Sequence, residues 1–217
     1  MDCFKIIIEI ITVVVSIGTF FLVLYGLKIW KIQLKGENTF KLALDILREL
    51  KLTLIAIDEY RYIFYSSNEI YEAYSKHNDG KILDHFNREE LDLAKKYAEN
   101  DRWNAILEKY FIYEDFMLKF TILINDYEYD LVNDKRFRDY ILELRNNRIS
   151  KEYAEAREKE LDHVSNEERV KTRRLYKEEN EKIHAVLFRS TKGDDIFGKN
   201  LEQYFQEINK KLRKYLK

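Results

Sequence analysis

Between Ile10 and Leu27 the chain reads IITVVVSIGTFFLVLYGL, with no charged side chain, and no later stretch repeats that pattern. Eighteen helical residues rise about 27 Å, close to the roughly 30 Å hydrocarbon core of a bilayer. Counting from Ile6 to Trp30 gives length enough to cross with some tilt. The pattern predicts an uncleaved transmembrane helix. A signal peptide would carry a shorter apolar region, about 7–15 residues, ending at small side chains. Here Ser16, Gly18 and Thr19 fall in the middle of the run and offer no such site. A core helix of a soluble protein is rarely apolar on every face.

Beyond Gly36 the pattern changes to helical periodicity. Gly36-Glu37-Asn38-Thr39 reads as punctuation, with Asn38 or Thr39 as the N-cap of a helix running to about Tyr65. Phe40, Leu42, Ala43, Leu44, Ile46, Leu47, Leu50, Leu54, Ile55 and Ile57 supply its apolar positions, and the β-branched residues near Thr53 leave a strand as an alternative there. Ser66-Ser67-Asn68 predicts a turn before a short helix to Lys76, and Asn78-Asp79-Gly80 a clear break. Asn87 and Glu90 fit a capping box at the head of a long helix, with Asn100-Asp101 as a candidate division. Asp134 predicts the cap of the next helix, which carries Phe137, Tyr140, Ile141 and Leu144.

From Arg145 to Lys182, 21 of 38 residues are charged and the signs alternate. Residues 145–190 are therefore expected to form a solvated helical hairpin turning near Val164-Ser165, where Ser165 and Glu168 make a second capping box. One long helix is the competing reading. Lys192-Gly193-Asp194-Asp195 is the last break, and a basic amphipathic helix is expected over 199–217, from about Lys199. The whole chain holds no proline and six glycines, which favours uninterrupted helices. The fold class predicted is all-α: a transmembrane anchor and junction over 1–36, then a helical bundle over 37–217.

Charge sets the expected orientation. Asp2, Lys5 and Glu9 precede the apolar run, whereas Lys28, Lys31 and Lys35 follow it. Positive charge stays on the cytoplasmic side, so the N-terminus is expected outside and the large domain inside. Tyr25 and Trp30 sit where interfacial aromatics belong. Residues 199–217 hold six bases and two acids, and Lys210, Lys211, Arg213, Lys214 and Lys217 crowd the end as candidate contacts to lipid or to a partner. Residues 84–130 hold twelve acids and six bases, read as a solvated acidic face. A net charge of −1 excludes a uniformly basic nucleic-acid binder, and the single Cys3 excludes an internal disulfide.

The chemical motifs are sparse. Glu160 with His163 and Glu181 with His184 are Glu-x-x-His pairs of the kind that hold di-iron sites. Their separation, about 28 Å whether on a hairpin or on one helix, keeps them from meeting. His77 and His85 flank a loop without a third ligand, and the tyrosines at 60, 62, 65, 71 and 74 are expected to pack rather than stack on bases. Arg157 to His163, REKELDH, resembles the Arg-x(4–6)-His pattern of the HEPN ribonuclease superfamily. That resemblance implies an all-α dimer whose arginine and histidine meet across subunits. Glu158 departs from the polar residue usual after the arginine, and solvated surface residues are the preferred reading. No phosphate loop, nucleophile elbow or zinc spacing occurs.

The segment YGLKIWKIQLKGENTFKLALDILREL and the closing GDDIFGKNLEQYFQEINKKLRKYL resemble bacterial single-pass proteins of uncharacterised function. The shared junction is Trp30, Gln33, Leu34, Lys35 and Gly36. The resemblance implies a span followed by a helical cytoplasmic domain, and no activity. The expectation is a non-catalytic assembly module on the cytoplasmic face of a bacterial inner membrane. Membrane lipid and a second copy or other protein are its partners, with no catalytic, cofactor or metal residues, no nucleic acid and no small-molecule substrate. The alternatives are an oligomeric membrane-disrupting effector with a cytoplasmic sensor domain, and a HEPN-like ribonuclease.

Overall fold

The computed structural model describes residues 2–62, 64–81, 85–124, 134–161, 164–189 and 195–216, without the side chains of residues 2–14 and 16. Among the described residues there are seven α-helices and a closing 3₁₀ turn and no strand, so the fold is all-helical. The first helix, α1, spans Asp2–Tyr60, 59 residues or about 88 Å. It is the one described helix long and apolar enough, by length and composition, to cross a membrane.

The expected helix start at Asn38 or Thr39 is absent, because α1 continues through it. Thr39 turns its hydroxyl back to the Lys35 carbonyl at 2.7 Å, as a threonine inside a helix does, instead of capping a new one. Gly36 costs about 1 kcal/mol in a helix interior, and the helix bridges it. What holds the lower half straight is a buried seam. Thr39, Ala43, Ile46, Leu50, Thr53, Ile57 and Tyr60 recur at alternating steps of four and three, and all are buried. That step is the signature of one helix lying along another. It also settles the ambiguity near Thr53 as helix, with the Thr53 hydroxyl bonded to the Glu49 carbonyl at 2.8 Å.

The seam packs mainly on α3, Arg88–Ile124. The two are antiparallel: Tyr60 meets Trp103 with ring centroids 5.7 Å apart, while Thr39 and Ile124 line one groove at the other end. The capping box forms as expected, Asn87 Oδ1 accepting from the Glu90 amide at 2.9 Å and Glu90 from the Asn87 amide at 3.0 Å. Asn100-Asp101 does not divide α3, because both side chains are bonded elsewhere: Asn100 to Arg148, and Asp101 to Lys76 and His77 at 3.0 Å. Between them lies α2, Ser67–His77, capped by Ser66 and followed by Asp79 and Gly80 at positive φ.

Helix α4 spans Arg136–Glu160, with Asp134 accepting from the Arg136 amide at 3.2 Å. Helices α5, Asn166–Leu175, and α6, Lys177–Leu187, part at Tyr176, so no single helix covers this charged stretch. Beside α4, Arg173 bonds Glu158, Arg157 lies 3.5 Å from Glu179, and its guanidinium covers the Tyr176 ring. The last helix, α7, spans Ile196–Leu212 and ends in the 3₁₀ turn Arg213–Tyr215. It begins before the expected Lys199, because Asp195 caps it by accepting from the Gly198 amide at 2.9 Å. The break at Lys192 to Asp194 lies outside the described residues.

One buried arginine ties the end of α1 to the end of α6 and the start of α7. Arg61, 1% exposed, follows the last residue of α1. Its guanidinium grips Asp195 at 2.7 and 2.9 Å and donates to the carbonyls of Val186 at 2.7 Å and of Ala185 and Phe188 at 3.3 Å. Ala185 and Val186 lie in the final turn of α6, where helical carbonyls lack intrahelical donors. One side chain thus satisfies the end of α6 and pairs with the cap of α7. Arg102 plays a similar part at the α1–α2 connection, pairing with Glu69 and donating to the carbonyls of Glu59, Tyr62 and Phe64.

Candidate membrane interface

Helix α7 returns alongside α1. Arg61 meets Asp195 at one end, Lys51 lies over the Phe205 ring midway, and Tyr215 reaches the level of Lys35 and Gly36. Its buried face, Phe197, Leu201, Tyr204, Ile208 and Leu212, fits the core through aromatic contacts. Phe137 stacks on Tyr204 at 5.4 Å, and the Tyr113 and Tyr204 hydroxyls are 3.1 Å apart. Burial, above all, pushes the Tyr204 hydroxyl up to about 12 and the Tyr113 hydroxyl well above its ordinary value.

The tips of α3 and α7 therefore arrive together beside the upper part of α1, just past the apolar run. Ile124 ends α3, and Tyr215, edge-on to Phe120 at 5.0 Å, ends the 3₁₀ turn. Ile32, Lys35, Gly36, Glu37, Thr39 and Phe40 of α1 face them across an open groove of about 690 Å³, which Lys214 also lines. Stepping the buried seam back from Thr39 by three and then four reaches Gly36 and Ile32. The groove is the seam's continuation where its partner helices have ended.

Two basic groups expected from the sequence converge here. Lys28, Lys31 and Lys35 fall within about 60° of one another around α1, and all are exposed, as are Tyr25 and Trp30. Lys210, Arg213 and Lys214 are exposed at the end of α7, while Lys211 is half-buried. Although burial alone would raise it, the Asp134 carboxyl stays below its usual range through hydrogen bonds from Arg136, helped by the nearby charge of Lys211. Lys217 lies outside the described residues. The sequence flagged both basic groups but not the groove, since Thr39, Ile124 and Tyr215 carry no local signal of meeting.

The other candidate groups disperse. His163 lies outside the described residues, and with it half of the Arg157 pattern and of the first Glu-x-x-His pair. Arg157 itself is engaged with Tyr176 and Glu179. His184 packs on Phe188 at 4.7 Å; His77 stacks on Tyr97 and pairs with Asp101. Of the tyrosine cluster, Tyr60 is core, Tyr65 lies under Arg102, Tyr71 and Tyr74 pack on Phe86, and Tyr62 is exposed beside Phe64. A cleft of about 780 Å³ at the far end mixes Glu99, Asp92 and Glu155 with Lys95, Lys96 and Lys151, and the Lys151–Glu99 bonds at 3.0 Å cross it. No group of three or more His, Cys, Asp or Glu placed to hold a metal occurs among the described residues. Compared with known proteins, the chain matches no family model, no curated protein and no solved structure.

Proposed function

We propose that the chain is a single-pass protein of a bacterial inner membrane, with its N-terminus outside. In this reading the helices below Gly36 form a cytoplasmic bundle that acts as a non-catalytic assembly module. One observation carries it: the end of the helical body that adjoins the apolar half of α1 is also the end where both basic groups gather. Each lysine or arginine near an anionic leaflet contributes about 1 kcal/mol, and basic residues flanking a span hold it to the cytoplasmic side. Helices α4, α5 and α6, read as a charged hairpin, point the opposite way, toward whatever the module engages.

Self-association is the assembly this reading favours. Phe111, Leu118 and Ile122 are exposed and fall within about 40° on one face of α3, an apolar stripe near the membrane end. Tethering confines copies to one plane with one orientation, which raises their effective concentration. Mass measurement of the detergent-solubilised chain tests this, with a dimer or higher oligomer expected and a strict monomer counting against it. A shallow recess around Gly18, Phe21, Leu22 and Tyr25 favours a second reading, spans that pack closely and breach the bilayer. A membrane-potential dye in expressing cells separates the two, because a scaffold leaves the potential intact.

A further inference from the structure

We infer that the groove between α1, the end of α3 and the 3₁₀ turn is a binding site for one anionic glycerophospholipid of the inner leaflet. The inference rests on the membrane reading above and names the ligand of that interface. Three features select this occupant.

The first is position. The groove opens directly below the apolar run and continues the apolar seam upward over Gly36 and Ile32, where Ile32 is 62% exposed. A lipid whose headgroup lies in the groove can lay an acyl chain along that uncovered seam without leaving the bilayer.

The second is shape. Gly36 forms part of the groove wall, and a Cβ placed there meets nothing within 4 Å. The backbone of α1 is bare at the point where a chain or a glycerol must come close.

The third is charge. Lys35 and Lys214 line the groove, with Lys28 and Lys31 in column above Lys35 and Arg213 beside Lys214. An ammonium pair of this kind suits a phosphodiester as a point-charge partner. Glu37 lines the same groove. Its carboxylate accepts hydrogen bonds and disfavours a second negative charge close by, so a headgroup with one phosphate and free hydroxyls, of the phosphatidylglycerol type, fits better than one with two phosphates.

The test uses the full chain purified in detergent, with native mass spectrometry after adding dioleoyl-phosphatidylglycerol or dioleoyl-phosphatidylcholine. One phosphatidylglycerol is expected to be retained, at least tenfold more tightly than phosphatidylcholine. Gly36→Leu fills the groove while keeping both lysines in the sequence and strengthens the helix, so it is expected to fold normally and lose the adduct at least tenfold. Lys35→Gln with Lys214→Gln is expected to abolish the preference for phosphatidylglycerol. Equal retention of both lipids, an unchanged adduct in Gly36→Leu, or displacement of the lipid by millimolar inorganic phosphate overturns the assignment. Carbonate extraction of cell membranes reads the underlying premise separately. A chain that stays in the pellet but shows no such selectivity refutes the groove alone, whereas a chain that washes off refutes the membrane reading.

Discussion

Replacing Arg61 with methionine removes a buried cation, a two-point grip on Asp195 and three hydrogen bonds to carbonyls, all at once. Breaking a buried pair from one side costs about 3–5 kcal/mol, because the other charge stays behind without its partner. Asp195 is not left wholly bare: its side chain is 17% exposed and still accepts from the Gly198 amide. The carbonyls of Ala185 and Val186 lose a charged donor, and a hydrogen bond to a charged group is worth about 1.5–3 kcal/mol. A loss near the upper end, about 4–5 kcal/mol, is the expected result for Arg61→Met. Asp195→Ala removes the cap of α7 as well as the counter-charge, and is expected to cost a similar amount.

The double variant distinguishes a pair from two independent contributions. Once Arg61 is gone, removing Asp195 no longer strands a cation, so the double variant is expected to fall short of the sum by about 1.5–3 kcal/mol. Urea unfolding of the full chain in detergent, followed by circular dichroism, reads all four corners of the cycle. A single variant within about 0.5 kcal/mol of the parent, or two losses that simply add, would refute the claim that Arg61 locks the end of α1 to α6 and α7.

Gly198→Ala would drive a Cβ into the Asp195 carboxylate and within 3.1 Å of the Arg61 guanidinium, so a net loss of about 1–3 kcal/mol is expected despite the better helix former. A gain in melting temperature would contradict it. Glu49 is 8% exposed, and one of its carboxylate oxygens has no hydrogen-bond partner among the described residues. Glu49→Met is therefore expected to stabilise by about 1–2 kcal/mol in the same assay, and a loss would mean that the carboxylate is needed. Burial would raise the Asp195 carboxyl, but the bonds from Arg61 and the Gly198 amide outweigh it and hold it below its usual range. A depressed carboxylate contributes stability that is present above about pH 4, its unfolded value, and is lost as pH falls through the folded one. Asp195→Asn should thus flatten the stability profile below pH 4, and an unchanged acid limb would refute the pairing.

Much of the helical plan was legible from local chemistry. Asn87 and Ser165 announce helix starts because their side chains bond amides within three residues, a contact the sequence itself encodes, whereas the expected cap Asp134 lies one residue before the actual cap position, Lys135, and bonds the Arg136 amide. The same local reasoning failed at Thr39, where a good capping residue sits inside a helix held by a long-range seam. It also placed the start of α7 too late, since Asp195 as a cap is easier to see once its carboxylate is known to answer Arg61. Arg61 and Arg102 gave no signal, because their partners lie far along the chain and a lone arginine at a helix end reads as solvated. The groove was hidden for the same reason. Lys35 and Lys214 are each visible as basic residues, but only the return of α3 and α7 beside α1 brings them to one place.

The most direct test of the account is the exposure of α1 to a membrane-impermeant thiol reagent, in a Cys3→Ser background carrying Leu22→Cys or Gly36→Cys. Leu22→Cys is expected to stay unlabelled in both intact cells and inverted vesicles, and Gly36→Cys to react in the vesicles only. Ready labelling at position 22, or labelling at position 36 from outside intact cells, would contradict the claim that the apolar half of α1 lies in the bilayer with the helical body and its basic end on the inner side.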